Sequence, residues 1–188
     1  MHAILFLREF FKNPRYIGAI TPSSSALAKA MVGEINFEKA TYIVELGPGT
    51  GSFTIELIKK KKKQTTLILV ELNDEFVKKL REKYGSIPNV HVVHGSAENL
   101  KEYLNEMNIE QADYIISGLP FTSLPKEGAD RILRAVYNTL KMDGRFITFQ
   151  YSLVKKEYIQ TFFQCIRRKR VWSNFPPAYV FSCNKGGN

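Results

Sequence analysis

The strongest constraint on this chain is the alternation of short, nearly continuous apolar runs with stretches of helical periodicity. Residues 41–46 (Thr-Tyr-Ile-Val-Glu-Leu) form the first run, and residues 67–70, 90–93, 114–116 and 146–149 repeat it. Runs this short, rich in β-branched residues and bounded by turn residues, read as strands buried on both faces. Between them Phe53, Leu57 and Ile58 share one helical face, and Phe76, Val77, Leu80 and Tyr84 share a second. Ile132, Leu133, Val136, Tyr137 and Leu140 share a third. Asn73 ahead of Asp74 and Glu75 predicts an N-cap and an acidic first turn, with Gly85 as the stop. Such alternation builds βαβ units, so the predicted fold is α/β, a doubly wound and mostly parallel sheet with helices on both faces. Asp143-Gly144 reads as a turn feeding the fifth strand. Residues 170–172 and 179–181, separated by Pro176-Pro177, read as two more strands, making seven with an antiparallel C-terminal edge.

The length of 188 residues, with 44% hydrophobic and 24% charged, fits a single globular domain that buries its own core. Within that domain, 1–188, residues 1–30 read as an N-terminal segment and 40–188 as the core. No apolar run approaches the length of a membrane span. The apolar opening from Met1 to Leu7 is ended by Arg8 and Glu9 with no cleavage signature, so no signal peptide is expected. Two cysteines, Cys165 and Cys183, make neither a disulfide framework nor a zinc site, which points to a reducing, cytoplasmic setting. Cys165 reads as structural, in an apolar helical stretch. His91 and His94, three apart on a predicted strand, point to opposite faces, so no metal site is predicted. Twenty-seven Lys and Arg against eighteen Asp and Glu give a net charge of +9, which favours a polyanionic partner, nucleic acid or an anionic membrane.

The chemistry begins at Glu45-Leu46-Gly47-Pro48-Gly49-Thr50-Gly51, between the first strand and the first core helix. Three glycines let the backbone turn sharply and approach a ligand, in the crevice where open α/β sheets bind theirs. Glu71, twenty residues beyond Gly51, ends the next strand, where a carboxylate can accept both hydroxyls of a ribose. A dinucleotide fingerprint requires glycine where Ser52 stands. Glu45 at the start of the loop suits a cationic amino group better than a diphosphate.

This pattern resembles the first motif of class I S-adenosylmethionine-dependent methyltransferases. The resemblance implies a Rossmann-like fold, S-adenosyl-L-methionine as cofactor, and cofactor contacts from Glu45, Gly47, Gly49, Thr50, Gly51, Glu71 and Leu72. Ser96 and Ala97 take the adenine-contacting place, with Ser96 where the family usually carries Asp. Ser117 closes the set.

The acceptor motif reads Ser117-Gly118-Leu119-Pro120-Phe121. Adenine-N6 methyltransferases carry Asn-Leu-Pro-Tyr or Asn-Leu-Pro-Phe here. Leu119, Pro120 and Phe121 match, while Gly118 stands at the Asn position. The chain also ends before the helical RNA-binding domain of the rRNA dimethylases. The variant motif instead resembles bacterial phospholipid N-methyltransferases of the rRNA adenine dimethylase-like branch. Asn13-Pro14, residues 18–24, residues 117–125 and residues 174–180 carry that likeness. It implies in-line methyl transfer to a lipid amine such as phosphatidylethanolamine, with loop 117–121 as the catalytic segment. Phe121, Tyr16, Tyr151 and Tyr179 are candidate aromatic faces for a methylated cation. Read as a helix, the N-terminus puts Ala3, Leu7, Phe10 and Phe11 on one face and Arg8, Lys12 and Arg15 on another, suited to a peripheral place on an anionic membrane or to packing on the sheet. Arg167, Arg168, Lys169 and Arg170 add to a basic patch. Lys59 to Lys63 read as charge at a helix C-terminus. An RNA or small-amine acceptor, and a non-catalytic cofactor-binding module, are the alternatives, with RNA disfavoured by Gly118.

Overall fold

The computed structural model describes residues 24–121, 124–151, 156–174 and 177–186. Residues 1–23, with the amphipathic stretch and Tyr16, and the loop positions Thr122 and Ser123 lie outside them. Seven strands, β1 (Tyr42–Leu46), β2 (Thr66–Glu71), β3 (Val90–His94), β4 (Ala112–Ser117), β5 (Leu140–Gln150), β6 (Gln164–Val171) and β7 (Ala178–Asn184), form one sheet ordered β3-β2-β1-β4-β5-β7-β6. The chain winds outward from β1 to β3, then returns to lay β4 on the other side of β1. All pairs from β3 to β5 are parallel. The expected antiparallel C-terminal edge is a pair: β7 runs antiparallel to β5 and to β6, and β6 is outermost.

Helices α1 (Ser25–Val32), α2 (Ser52–Lys60) and α3 (Asp74–Tyr84) cover one face, burying Leu27, Met31, Phe53, Leu57 and Leu80 against Ile43, Leu69 and Ile147. Helices α4 (Leu100–Glu106), α5 (Lys126–Thr139) and α6 (Lys156–Gln160) cover the other, where Leu104, Ile132 and Ile159 meet Val44, Ile115 and Phe146. Both faces being covered is why the central strands carry apolar residues without alternation. The Asn73 cap forms as expected, its side chain accepting from Glu75 and Phe76 N–H.

Three local expectations change. Asp143-Gly144 does not precede β5 but lies within it, where residues 141–144 bulge opposite the single residue Asp113. Cys165 is on a strand, because residues 164–171 pair with β7 from end to end apart from a register shift between Cys165 and Arg167; the pairing decides what polar, cationic residues leave undecided by propensity. That register sets Cys165 opposite Cys183, and Cys183 is disulfide-bonded, against the expectation of reduced thiols.

Candidate active site

The carboxyl ends of β1, β2, β3 and β4 converge where the strand order reverses, and the predicted motifs meet there. Gly47, directly after β1, donates its N–H to the Val70 carbonyl at 2.9 Å, which pins the loop to β2. Gly47, Gly49 and Gly51 hold φ of +65°, +54° and +84°, the left-handed region that glycine reaches without strain. A Cβ on Gly47 would stand 2.5 Å from the Leu119 side chain. A Cβ on Gly49 would meet nothing within 4 Å, so the loop leaves open space above its middle glycine.

Glu71 ends β2 almost fully buried. Its Oε2 accepts from Gly49 N–H at 2.9 Å, and its Oε1 from Leu72 N–H at 2.8 Å and Asn73 N–H at 2.9 Å. Burial pushes its pKa up, and the three backbone donors pull it back toward the ionised form. A crevice lined by Gly47, Glu71, Leu72, Ser96, Ala97 and Leu119 runs past this carboxylate. Ser96 accepts from Glu98 N–H at 3.3 Å and caps the short 3₁₀ turn Ala97–Asn99, which turns that backbone toward the crevice.

Glu45 stands apart from this crevice. Alternation along β1 turns it to the α1–α3 face, where Thr54 Oγ1 donates to its Oε2 at 2.7 Å. Its Oε1 is buried without a partner, and burial above all pushes its pKa up to about 8, with Thr54 opposing and nearby Glu71 adding. Burial thus favours the protonated form, against the charge expected to attract an amino group. Thr50 is exposed, with its hydroxyl 3.5 Å from Ser52 Oγ, and does not line the crevice.

Loop 117–121 crosses beside the glycine loop. Gly118 N–H donates to the Leu46 carbonyl at 2.9 Å, and Ser117 Oγ accepts from Leu119 N–H at 3.2 Å. A Cβ on residue 118 would lie 2.7 Å from the Gly47 carbonyl oxygen, so this backbone approach excludes any larger residue without a shift. Phe121 departs from its expected role as an aromatic face. A tight turn, with its N–H on the Leu119 carbonyl at 3.1 Å, sends the ring into the core, 2% exposed and edge-on to Phe146 at 6.1 Å. Neither described tyrosine lines the crevice. Tyr151 lies on the α1–α3 face, edge-on to Phe149 at 5.4 Å, with its hydroxyl bonded to Asn174. Tyr179 lies on β7 under the guanidinium of Arg170, 5.2 Å from the ring centroid.

Two residues missed by motif reading stand at the end of β5. Thr148 and Gln150 are buried, and Thr148 Oγ1, Gln150 Oε1 and Gln150 Nε2 have no hydrogen-bond partner. The signal was a pair of polar residues two apart inside an apolar run, hence on one face of the strand. A larger cavity of about 470 Å³, lined by Glu34, Asn36, Lys39, Asp113 and Arg145 among others, lies at the opposite end of the strands and touches none of the motif residues.

Residues 43–144 match the family described as a methyltransferase domain. The ornithine lipid N-methyltransferase of Singulisphaera acidiphila is 35% identical over 181 residues, 95% of this chain and 94% of that protein. The ribosomal RNA small subunit methyltransferase A of Thermotoga petrophila is 25% identical over 118 residues, 62% of this chain and 42% of that protein. Among solved structures, the Burkholderia thailandensis 1,6-didemethyltoxoflavin-N1-methyltransferase superposes with a TM-score of 0.72 at 14% identity, over 96% of this chain and 88% of that one; its structure holds S-adenosylhomocysteine. With the glycine loop, the acidic end of β2 and the strand order all in place, the chain belongs to the class I S-adenosylmethionine-dependent methyltransferases.

Proposed function

We propose that the protein methylates the amino group of a membrane lipid headgroup, an aminophospholipid or an amino-acid lipid. The observation that carries this reading is the likeness to a lipid N-methyltransferase along nearly the whole length of both chains, where the rRNA enzyme matches only in part. The crowding at Gly118 agrees with it, since the Asn amide that orients an adenine amine has no room there. In this reading the motif resemblance to the rRNA dimethylase-like branch does not extend to the acceptor.

The residues present fit the cofactor. Open space adjoins the middle glycine of the loop, Gly49, and Glu71, Ser96 and Ala97 line the crevice beside it, a carboxylate suited to ribose hydroxyls and backbone suited to an adenine edge. When bound, S-adenosylmethionine supplies an electrophilic methyl group on a sulfonium. The chain's own part is alignment and exclusion of water, because that group is already activated. Leu72 and Leu119 wall the crevice, and in this reading the acceptor enters beside Ser117 and Gly118, at the end of β4 next to the glycine loop.

The partner in this reading is an anionic membrane surface, approached peripherally. No helix among the described residues is long and apolar enough to cross a membrane. Strand β6 presents Arg167, Arg168, Lys169 and Arg170 to solvent, followed by Trp172, 69% exposed with the Arg170 guanidinium 3.5 Å from its ring centroid. Exposed cations beside an interfacial aromatic suit anionic headgroups. The test is transfer of labelled methyl groups to total lipid and total RNA, separated by solvent extraction, with Glu71→Ala as control. Label in the organic phase, lost in the variant, is expected. Label confined to RNA would overturn the lipid reading.

A further inference from the structure

We propose that Gln150, with Thr148 and Ser117, forms the subsite that holds the acceptor amine, the Gln150 carboxamide supplying the hydrogen-bond acceptor that residue 118 cannot. This rests on the reading of the protein as an amine methyltransferase.

Alternation fixes the face. On β5, Phe146 belongs to the α4–α6 side of the core and Ile147 to the other, so Thr148 and Gln150 follow Phe146. On β4, Ile115 lies on that same side, so Ser117 follows it. The register sets Ser117 beside Thr148 on adjacent parallel strands. Gln150 is two residues further, roughly 7 Å along the strand and level with the loop after Ser117. The crevice opens on this same side, since Val70, Ala97 and Leu119 line it and belong to that core.

The order of groups across the sheet gives the direction. Ser96 and Ala97 follow β3, Glu71 ends β2, the glycine loop follows β1, and Ser117 ends β4. An adenine-to-methionine ligand read along that order runs toward β4, and the position beyond it belongs to β5, where Thr148 and Gln150 stand.

Burial and satisfaction give the reason. Gln150 is 3% exposed and Thr148 fully buried, yet three of their polar atoms have no partner. A carboxamide with neither end bonded costs stability and is retained where a ligand completes it. Gln150 Oε1 can accept from an amine N–H, and Thr148 Oγ1 from a second. Both acceptors favour a neutral amine turned lone pair first toward the incoming methyl group. Each N–H replaced by methyl removes one donor, so the subsite also discriminates between successive methylations.

The experiment compares wild type with Gln150→Leu and Gln150→Glu by labelled transfer to extracted lipid, by mass spectrometry of the mono-, di- and trimethylated products, by calorimetric binding of S-adenosylhomocysteine, and by thermal melting. Gln150→Leu is expected to lower kcat/KM for the lipid amine at least about tenfold. Affinity for S-adenosylhomocysteine should be unchanged and Tm equal or higher, because an unbonded carboxamide has been removed from the interior. Gln150→Glu, which keeps the acceptor oxygen, should restore part of the activity and shift the product ratio. Wild-type transfer by Gln150→Leu overturns the subsite, and so does a fall in Tm that accounts for its lost activity. If wild type labels RNA and not lipid, the lipid reading fails separately, and Gln150 is judged by the same comparison on that acceptor.

Discussion

Gly118 is where sequence pattern and structure lead to opposite forecasts. By pattern, Gly118→Asn restores the residue of adenine-N6 methyltransferases and should confer, or at least permit, activity on RNA. By structure it should damage the cofactor site. Gly118 is not among the positive-φ glycines, so Asn is barred by space and not by backbone conformation. Its Cβ would lie 2.7 Å from the Gly47 carbonyl oxygen, a backbone atom held in the loop, and relief needs a shift of roughly 0.5 Å. Overpacking of this kind costs about 1–3 kcal/mol. Taking the middle of that range, about 2 kcal/mol, the reduced freedom of the unfolded chain returns about 0.4–1 kcal/mol, leaving a net loss of about 1–2 kcal/mol. For a chain of this size that lowers Tm by about 2–8 °C. Because the displaced atom belongs to the glycine loop, strain of the same size should appear in cofactor binding, a five- to thirtyfold weakening (about 1–2 kcal/mol). Differential scanning calorimetry and titration with S-adenosylhomocysteine measure both, and Gly118→Ala, with the same Cβ, should show the same two losses. Wild-type Tm and affinity in Gly118→Asn, or RNA methylation gained with cofactor binding intact, would refute the steric reasoning.

Glu71→Ala leaves the N–H groups of Gly49, Leu72 and Asn73 without their acceptor, so it should lower Tm and abolish measurable binding of S-adenosylhomocysteine by calorimetry. Glu45 has its pKa raised from 4.5 to about 8, so the folded state keeps a proton that the unfolded state releases in between. Wild type should therefore lose stability as pH rises through that window, by on the order of 3 kcal/mol, while Glu45→Gln stays flatter; urea unfolding at about pH 5.5 and 8.5 checks the sign. Arg170→Glu combined with Trp172→Glu should remove sedimentation with phosphatidylglycerol-containing vesicles while leaving cofactor affinity unchanged. Unaltered sedimentation would detach β6 from the membrane reading.

The alternating core was legible because strands covered on both faces leave continuous apolar runs and the helices between them keep their own period. The glycine loop and Glu71 were legible because close backbone approach and a carboxylate at a strand end each demand a residue type. Other features depended on long-range partners. Strand β6, four adjacent cations with no apolar alternation, becomes a strand only through β7. Phe121 reads as an exposed aromatic until the turn at Leu119 sends it toward Phe146. Thr148 and Gln150 stand out in sequence only as two polar residues within a run of hydrophobics, and their missing partners are what give that pattern meaning.

The same geometry relates the acceptor side of the sheet to the basic edge. Strand β6 is antiparallel to β7, and β7 to β5, so β6 runs the same way as the five parallel strands. Its carboxyl end, with Arg170 and the exposed Trp172, therefore lies along the rim that carries the glycine loop, Ser117 and Gln150. In the proposed reading, the positions from β3 to β4 would hold the cofactor, β5 the amine, and β6 would face the surface from which a lipid amine arrives. If membrane contact were made by the opposite rim, the headgroup would have to travel the length of the strands to reach Ser117. In that reading the cations at the end of β6 would remove the difficulty, because a protein resting on them would present the acceptor end of its crevice to the headgroups.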